Sequence, residues 1–149
     1  RWGIFSHPDY PNGPPAKTSI LTLSDPPQAA GIFFQAKTPL PERIEELVVS
    51  PTHDLFFATV REGEESLLLW MGVVRKEKDR YVPATYRVRS FEKTRNLAIS
   101  RDGSILALAS RSDAGWSLEM ARLEDILSDI NRRYPEAKLS LAALESEVK

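Results

Sequence analysis

Leu97-Ala98-Ile99-Ser100-Arg101-Asp102-Gly103-Ser104-Ile105-Leu106-Ala107-Leu108-Ala109-Ser110-Arg111 decides how this chain reads. A short apolar run enters a Ser-Arg-Asp-Gly turn and a longer apolar run leaves it. Asp-Gly between apolar runs is a strong hairpin signal, because the central turn residues favour positive φ and Gly supplies it without steric cost. Ile105 to Ala109 is short, continuous and apolar, which predicts a strand buried on both faces.

The pattern has a partner fifty residues upstream, Leu47-Val48-Val49-Ser50-Pro51-Thr52-His53-Asp54-Leu55-Phe56-Phe57-Ala58-Thr59-Val60-Arg61. At that offset Leu47 matches Leu97, Val49 matches Ile99 and Ser50 matches Ser100. Leu55 and Phe56 match Ile105 and Leu106, and Arg61 matches Arg111. His53 falls where Gly103 sits, and His tolerates the left-handed region better than most residues. Each copy continues through a polar loop into a third apolar run, Ser66 to Met71 and Trp116 to Met120. Repeated units of short strands at this period are what propeller blades look like in sequence. Two unrelated hairpins sharing Ser and a turn are the plainer alternative.

The turns Ser50-Pro51-Thr52-His53 and Ser100-Arg101-Asp102-Gly103 resemble those of the WD40-like and TolB-like β-propeller families. The resemblance covers about residues 18 to 122. It implies antiparallel four-stranded blade-like sheets, about two to three blades of a propeller, with no fixed activity. The chain departs from WD40 repeats in having no Gly-His pair to open a blade, and Trp70 is followed by Met71 rather than Asp. A divergent blade is the expectation.

With 149 residues, one domain with a real core is expected. Closed propellers need at least four blades, so this length leaves three solutions. The chain belongs to a larger propeller, it assembles with other chains, or it is a smaller α+β domain; the first two are favoured. The formal net charge of −1 supplies no global field toward nucleic acid or membrane. Cysteine is absent, which excludes disulfides and thiolate chemistry. No apolar run is long enough to span a bilayer as a helix. An intracellular setting, cytoplasm or nucleus, is the expectation.

Residues 1 to 17 carry Pro8, Pro11, Pro14 and Pro15 and read as an N-terminal arm. Its Trp2, Ile4, Phe5 and Tyr10 predict docking onto the body of the protein or onto a partner, the body being favoured. Thr18 to Ser24 and Gly31 to Lys37 read as strands. Arg80 to Arg89 reads as a fourth blade strand, alternating Tyr86 and Val88 with Arg87 and Arg89. Pro83 places it at an edge. Residues 18 to 122 are thus the blade region. Residues 123 to 149 are a helical tail, with Leu123, Ile126, Leu127 and Ile130 at helical spacing over Leu123 to Arg133. Tyr134-Pro135 ends that helix. Leu141, Leu144 and Val148 predict a second one, capped by Ser140.

No catalytic constellation stands out. His7 and His53 are the two histidines, too few for a converging metal set. There is no Gly-x-Ser-x-Gly signature and no phosphate-binding glycine loop. Glu45-Glu46 and Glu64-Glu65 read as solvated surface. No cofactor and no metal are expected, and the reading leans away from an enzyme. One bias is local. Residues 75 to 101 hold Arg75, Lys76, Lys78, Arg80, Arg87, Arg89, Lys93, Arg95 and Arg101 against Glu77, Asp79 and Glu92. Arg87, Arg89 and Arg95 are the candidate partner-binding residues, facing an acidic protein surface or a phosphate backbone. The expected function is a non-catalytic scaffold that meets other protein chains. A nucleic-acid-associated module and the propeller part of a peptidase-like enzyme are the alternatives.

Overall fold

The computed structural model describes residues 2–7, 17–22, 28–31, 43–62, 66–77, 80–91 and 94–146. The chain is mainly β, with antiparallel sheets and a short C-terminal helix. Strands β1 (Trp2–His7), β2 (Lys17–Thr22) and β3 (Gln28–Gly31) form the first sheet, in sequence order. Strands β4 (Arg43–Val49), β5 (Leu55–Glu62), β6 (Ser66–Glu77) and β7 (Arg80–Phe91) form the second, again in sequence order. Strands β8 (Thr94–Ile99), β9 (Ile105–Ser112) and β10 (Gly115–Arg122) form the third. Helix α1 (Leu123–Arg133), a 3-10 turn at Pro135–Ala137 and the single-turn helix α2 (Leu141–Leu144) complete the described chain.

The second sheet lies between two apolar layers, and the parity of its strands explains why. Leu55 stands opposite Val73 and Phe57 opposite Met71, so these four share one face. Phe56 stands opposite Gly72, Ala58 opposite Trp70 and Val60 opposite Leu68, on the other face. The first set packs with Leu106 and Leu108 of β9 and with Leu123, Ile126, Leu127 and Ile130 of α1. The second set packs with Trp2 and Ile4 of β1. Strand β5 is therefore buried on both faces, Leu55 to Val60 showing at most 1% exposure. Full burial of a side chain such as Phe56 stabilises by about 2–3 kcal/mol. Gly72 makes room for that ring, since a Cβ there would lie 1.9 Å from Phe56 Cζ. Trp2 meets Phe56 edge to face at 6.4 Å between centroids. Its indole N–H donates to Asp54 Oδ1 at 3.0 Å.

The stretch expected as an arm thus contributes a strand, and Trp2 docks as its apolarity predicts. The strand expected over Thr18 to Ser24 overlaps β2 (Lys17–Thr22), and residues 23 and 24 lie outside the described residues. Strand β3 spans Gln28–Gly31, with Ala29 and Ala30 paired to Leu21 and Ile20 of β2; of the strand expected over Gly31 to Lys37, only Gly31 is among the described residues. Residues 32–42 lie outside the described residues. Strand β7 is the outer strand expected over Arg80 to Arg89, with Pro83 on it.

Two expectations about the quoted stretch fail. Ile105 to Ala109 is buried on one face only: Leu106 and Leu108 are buried, whereas Ile105 is 37% exposed. Among the described residues, Gly103 alone in either turn has positive φ, +75°; Asp102 and His53 do not. The five residues between β8 and β9 need a single left-handed position instead of the two of a two-residue hairpin. At His53 the chain forms an isolated antiparallel bridge with Glu145.

Helix α1 spans Leu123–Arg133, as the spacing predicts, and buries Leu123, Ile126, Leu127 and Ile130. Glu124 and Asp125 in its first turn and Arg132 and Arg133 in its last complement the backbone dipole. Tyr134 closes it by donating its N–H to Ile130 O at 2.7 Å, and Pro135 forbids continuation. Arg132 and Arg133 both pair with Asp129. The hydrogen bond from Arg132, joined by the charge of Arg133, holds that carboxyl below its ordinary range. Helix α2 is shorter than the Leu141, Leu144, Val148 spacing suggests, and Val148 lies outside the described residues. Ser140 does cap it, accepting from Ala143 N at 3.2 Å.

Candidate interaction surface

The turns that begin β5 and β9 organise both sheets, and both are built from side chains. Ser50 N donates to Leu55 O at 3.0 Å, and Ser100 N donates to Ile105 O at 2.8 Å. Asp54 O accepts from Val74 N at 2.9 Å, and Ser104 O accepts from Leu123 N at 2.8 Å. Inside the first turn the hydroxyl of Ser50 accepts from Thr52 N and His53 N. Inside the second, Asp102 Oδ1 accepts from the hydroxyls of Ser100 and Ser104, each at 2.7 Å, and from Ser104 N at 3.0 Å. Those bonds, Ser100 first, hold the Asp102 carboxyl at about 2 against an ordinary 3.8.

Side chains of β4 and of the turn before β5 join the second sheet to the third. Glu46 accepts from Asn96 N at 2.7 Å and from Leu97 N at 2.8 Å. Thr52 Oγ1 donates to Asp102 O at 3.2 Å. In the sequence Glu45-Glu46 reads as solvated surface. Its carboxylate instead satisfies two main-chain donors at an irregularity in β8, where register shifts between Arg95 and Ala98. Only a bulge on the facing strand could have signalled that role, and no residue pattern announces it.

One face of the third sheet is exposed at its described apolar side chains. Met120 stands opposite Ala107, Leu118 opposite Ala109 and Arg122 opposite Ile105, so the apolar members share a face. Ala98, opposite Ala107, extends it onto β8. Trp116 is 54% exposed, Leu118 69% and Met120 70%. Most of the exposed large apolar side chains among the described residues therefore fall on one sheet face, and clustering of this kind marks a contact surface. Strand β10 is also an edge, paired among the described residues with β9 alone. Sheet edges accept further strands unless charge, proline or a bulge blocks them.

Of the candidate basic residues, only Arg95 falls at a register position on this face, opposite Ala109. Arg87 and Arg89 lie on β7, the outer strand of the second sheet, opposite Trp70 and Leu69. Arg95 lies on β8 of the third sheet, opposite Ala109. Arg87 is partly buried, and its carbonyl accepts from Arg133 Nη2 at 2.6 Å. The side chains of Arg89 and Arg95 are outside the described set.

Chemistry is sparse among the described residues. No group of three or more His, Cys, Asp or Glu side chains is placed to hold a metal. Thr52 Oγ1 lies 2.8 Å from His53 Nδ1. The same hydroxyl lies 3.2 Å from Asp102 O, so the Thr52–His53 pair sits within the contact between the two turns. An apolar groove of about 300 Å³ runs between the second and third sheets beside α1, lined by Leu69, Val88, Leu106, Leu108, Glu119, Met120, Ala121 and Ile126. No described helix is long and apolar enough to cross a membrane. No family model, curated protein or solved structure matches the chain.

Proposed function

We propose that the chain is a non-catalytic protein–protein interaction module, one part of a larger propeller-like or multi-subunit β assembly. The uncovered face formed by Trp116, Leu118 and Met120 supports this reading. An aromatic and two long aliphatic side chains on a rigid sheet make suitable anchors, since a few such residues carry most of the energy of an interface. The recurrence of the Ser50 and Ser100 turns agrees with it.

The absence of cysteine gives a direct test. Leu118→Cys carries a single photo-crosslinker on the open face, and Glu136→Cys carries one on an exposed site away from the sheets. In cells making the protein, the first variant is expected to yield one discrete cross-linked species that the second does not. Equal products from both, or none from either, would overturn the proposal.

A further inference from the structure

We propose that the open face of the third sheet binds an acidic amphipathic helix of another protein. The proposal rests on the interaction-module reading and gives its partner a chemistry. The face concerned is the forward one, turned away from the second sheet. The forward face of the second sheet, with Leu55 and Phe57, is the one that the third sheet covers.

The distribution of charge carries the argument. Strands β8, β9 and β10 hold three bases, Arg95, Arg111 and Arg122, and one acid, Glu119. Register puts all three bases on the forward face, Arg95 opposite Ala109, Arg111 opposite Trp116 and Arg122 opposite Ile105. Glu119 stands opposite Leu108, on the face turned to the second sheet. A chain with a formal net charge of −1 thus gathers one sign of charge round an apolar centre. Arg122 is 74% exposed beside Glu124 at 3.9 Å, an open pair that a partner carboxylate can replace at little cost. Interface cores favour Trp, Met and Arg over Lys, Glu and Asp. Arginine matches carboxylates through its forked donors, while Leu118 and Met120, 69% and 70% exposed, match aliphatic side chains. A phosphate backbone would meet the same arginines, but its bases stack on aromatic rings, and Trp116 is the one aromatic residue that register places on this face.

The shape of the face selects a helix. A segment lying over a sheet cannot pair its main chain with the strands beneath, so it must satisfy its own N–H and C=O groups, as a helix does. Three strands spaced about 4.8 Å apart span about 10 Å, the diameter of one helix. Ala98, Ala107 and Ala109 make a shallow centre beside the larger Trp116, Leu118 and Met120, a seat for one aliphatic stripe. Arg111 and Arg122 stand toward opposite ends of the β9–β10 ladder. The strand between them is about 20 Å long, which about 13 residues of helix cover. The partner helix therefore carries carboxylates toward both ends and aliphatic residues between them.

Tryptophan emission reads this face. Trp2 and Trp70 are 8% and 6% exposed, against 54% for Trp116, so acrylamide quenching reports chiefly on Trp116. The probe is a tryptophan-free helix of about 15 residues, with leucines at helical spacing on one face and glutamates on its flanks. It is joined to the full chain by a flexible Gly/Ser linker of roughly 20 residues, which raises its local concentration to the order of millimolar. Quenching of Trp116 is expected to fall to the level of the buried tryptophans. The same helix with lysine for glutamate is expected to leave Trp116 as accessible as in the unfused chain. Arg111→Glu together with Arg122→Glu is expected to exchange the two results, so that the lysine helix protects and the glutamate helix does not. No protection by the acidic helix, or equal protection by both, would overturn the proposal. The natural partner is read through Leu118→Cys, whose cross-linked product the same two reversals are expected to abolish. A product that survives them would leave the interaction reading standing and remove the acidic helix. A product that nuclease destroys, or that proves to be a second copy of this chain, would also overturn the proposal.

Discussion

The hydroxyl of Thr52 donates to the main-chain carbonyl of Asp102 at 3.2 Å, joining the same position of two turns fifty residues apart. The contact leaves no room beside it. A Cβ at Gly103 would lie 1.9 Å from Thr52 Oγ1 and 3.1 Å from His53 Nδ1, and Gly103 has φ +75°.

Gly103→Ala should therefore destabilise through two causes at once, a left-handed backbone that costs about 1–2 kcal/mol for an L side chain and a steric conflict with Thr52. The measurement is the midpoint of thermal unfolding. Thr52→Ala removes the conflict at Oγ1 and leaves the backbone strain, so Gly103→Ala should cost less in that background than in wild type. Equal costs in both backgrounds would show that the contact with Thr52 contributes nothing.

Glu46→Ala removes the acceptor for Asn96 N and Leu97 N. The expected loss is about 1–3 kcal/mol, the cost of leaving main-chain donors poorly satisfied. Glu46→Gln keeps one acceptor oxygen and should lose less. Amide exchange at Asn96 and Leu97 should quicken in the alanine variant before β5 is affected. Unchanged exchange at both amides would contradict the bridging role.

Asp102 makes the second turn acid-sensitive. Its folded carboxyl sits at about 2, below the ordinary 3.8. Depression means that the folded state favours the ionised form, so the contribution is fully present above the unfolded value. It is lost as pH falls from 3.8 through about 2. Carboxyl carbon shifts followed by NMR should place the midpoint near the lower value. Ser100→Ala together with Ser104→Ala should bring it back toward the ordinary one, and a wild-type midpoint already there would refute the network.

Leu118→Ser should leave folding within about 0.5 kcal/mol of wild type, as exposed substitutions usually do. Phe57→Ala, on the covered forward face of the second sheet, should cost about 3–5 kcal/mol. Chemical denaturation of the two variants measures the contrast. A large loss at Leu118 would mean that this face supports the fold itself.

Much of the architecture was legible in the residues. Alternation and continuous apolar runs located β5, β6, β7, β9 and β10, because a strand writes its faces at every second residue. Leu123, Ile126, Leu127 and Ile130 located α1 to its ends, since one buried stripe and the Tyr134-Pro135 stop suffice. The candidate surface was less legible. Arg87, Arg89 and Arg95 drew attention by charge, yet they are divided between two sheets. Trp116 to Met120 reads only as a third apolar run.

Sequence by itself determined most strands of the second and third sheets and helix α1, but not β1 or β3, because those strands and the helix show intervals of two and of three to four residues. Tertiary structure alone decided that Trp2 closes one side of the second sheet, that Glu46 holds Asn96 and Leu97, and that the forward face of β9 and β10 stays open. An alternating pattern states that a face is apolar. What covers the face depends on residues about fifty positions away, and no local interval records them.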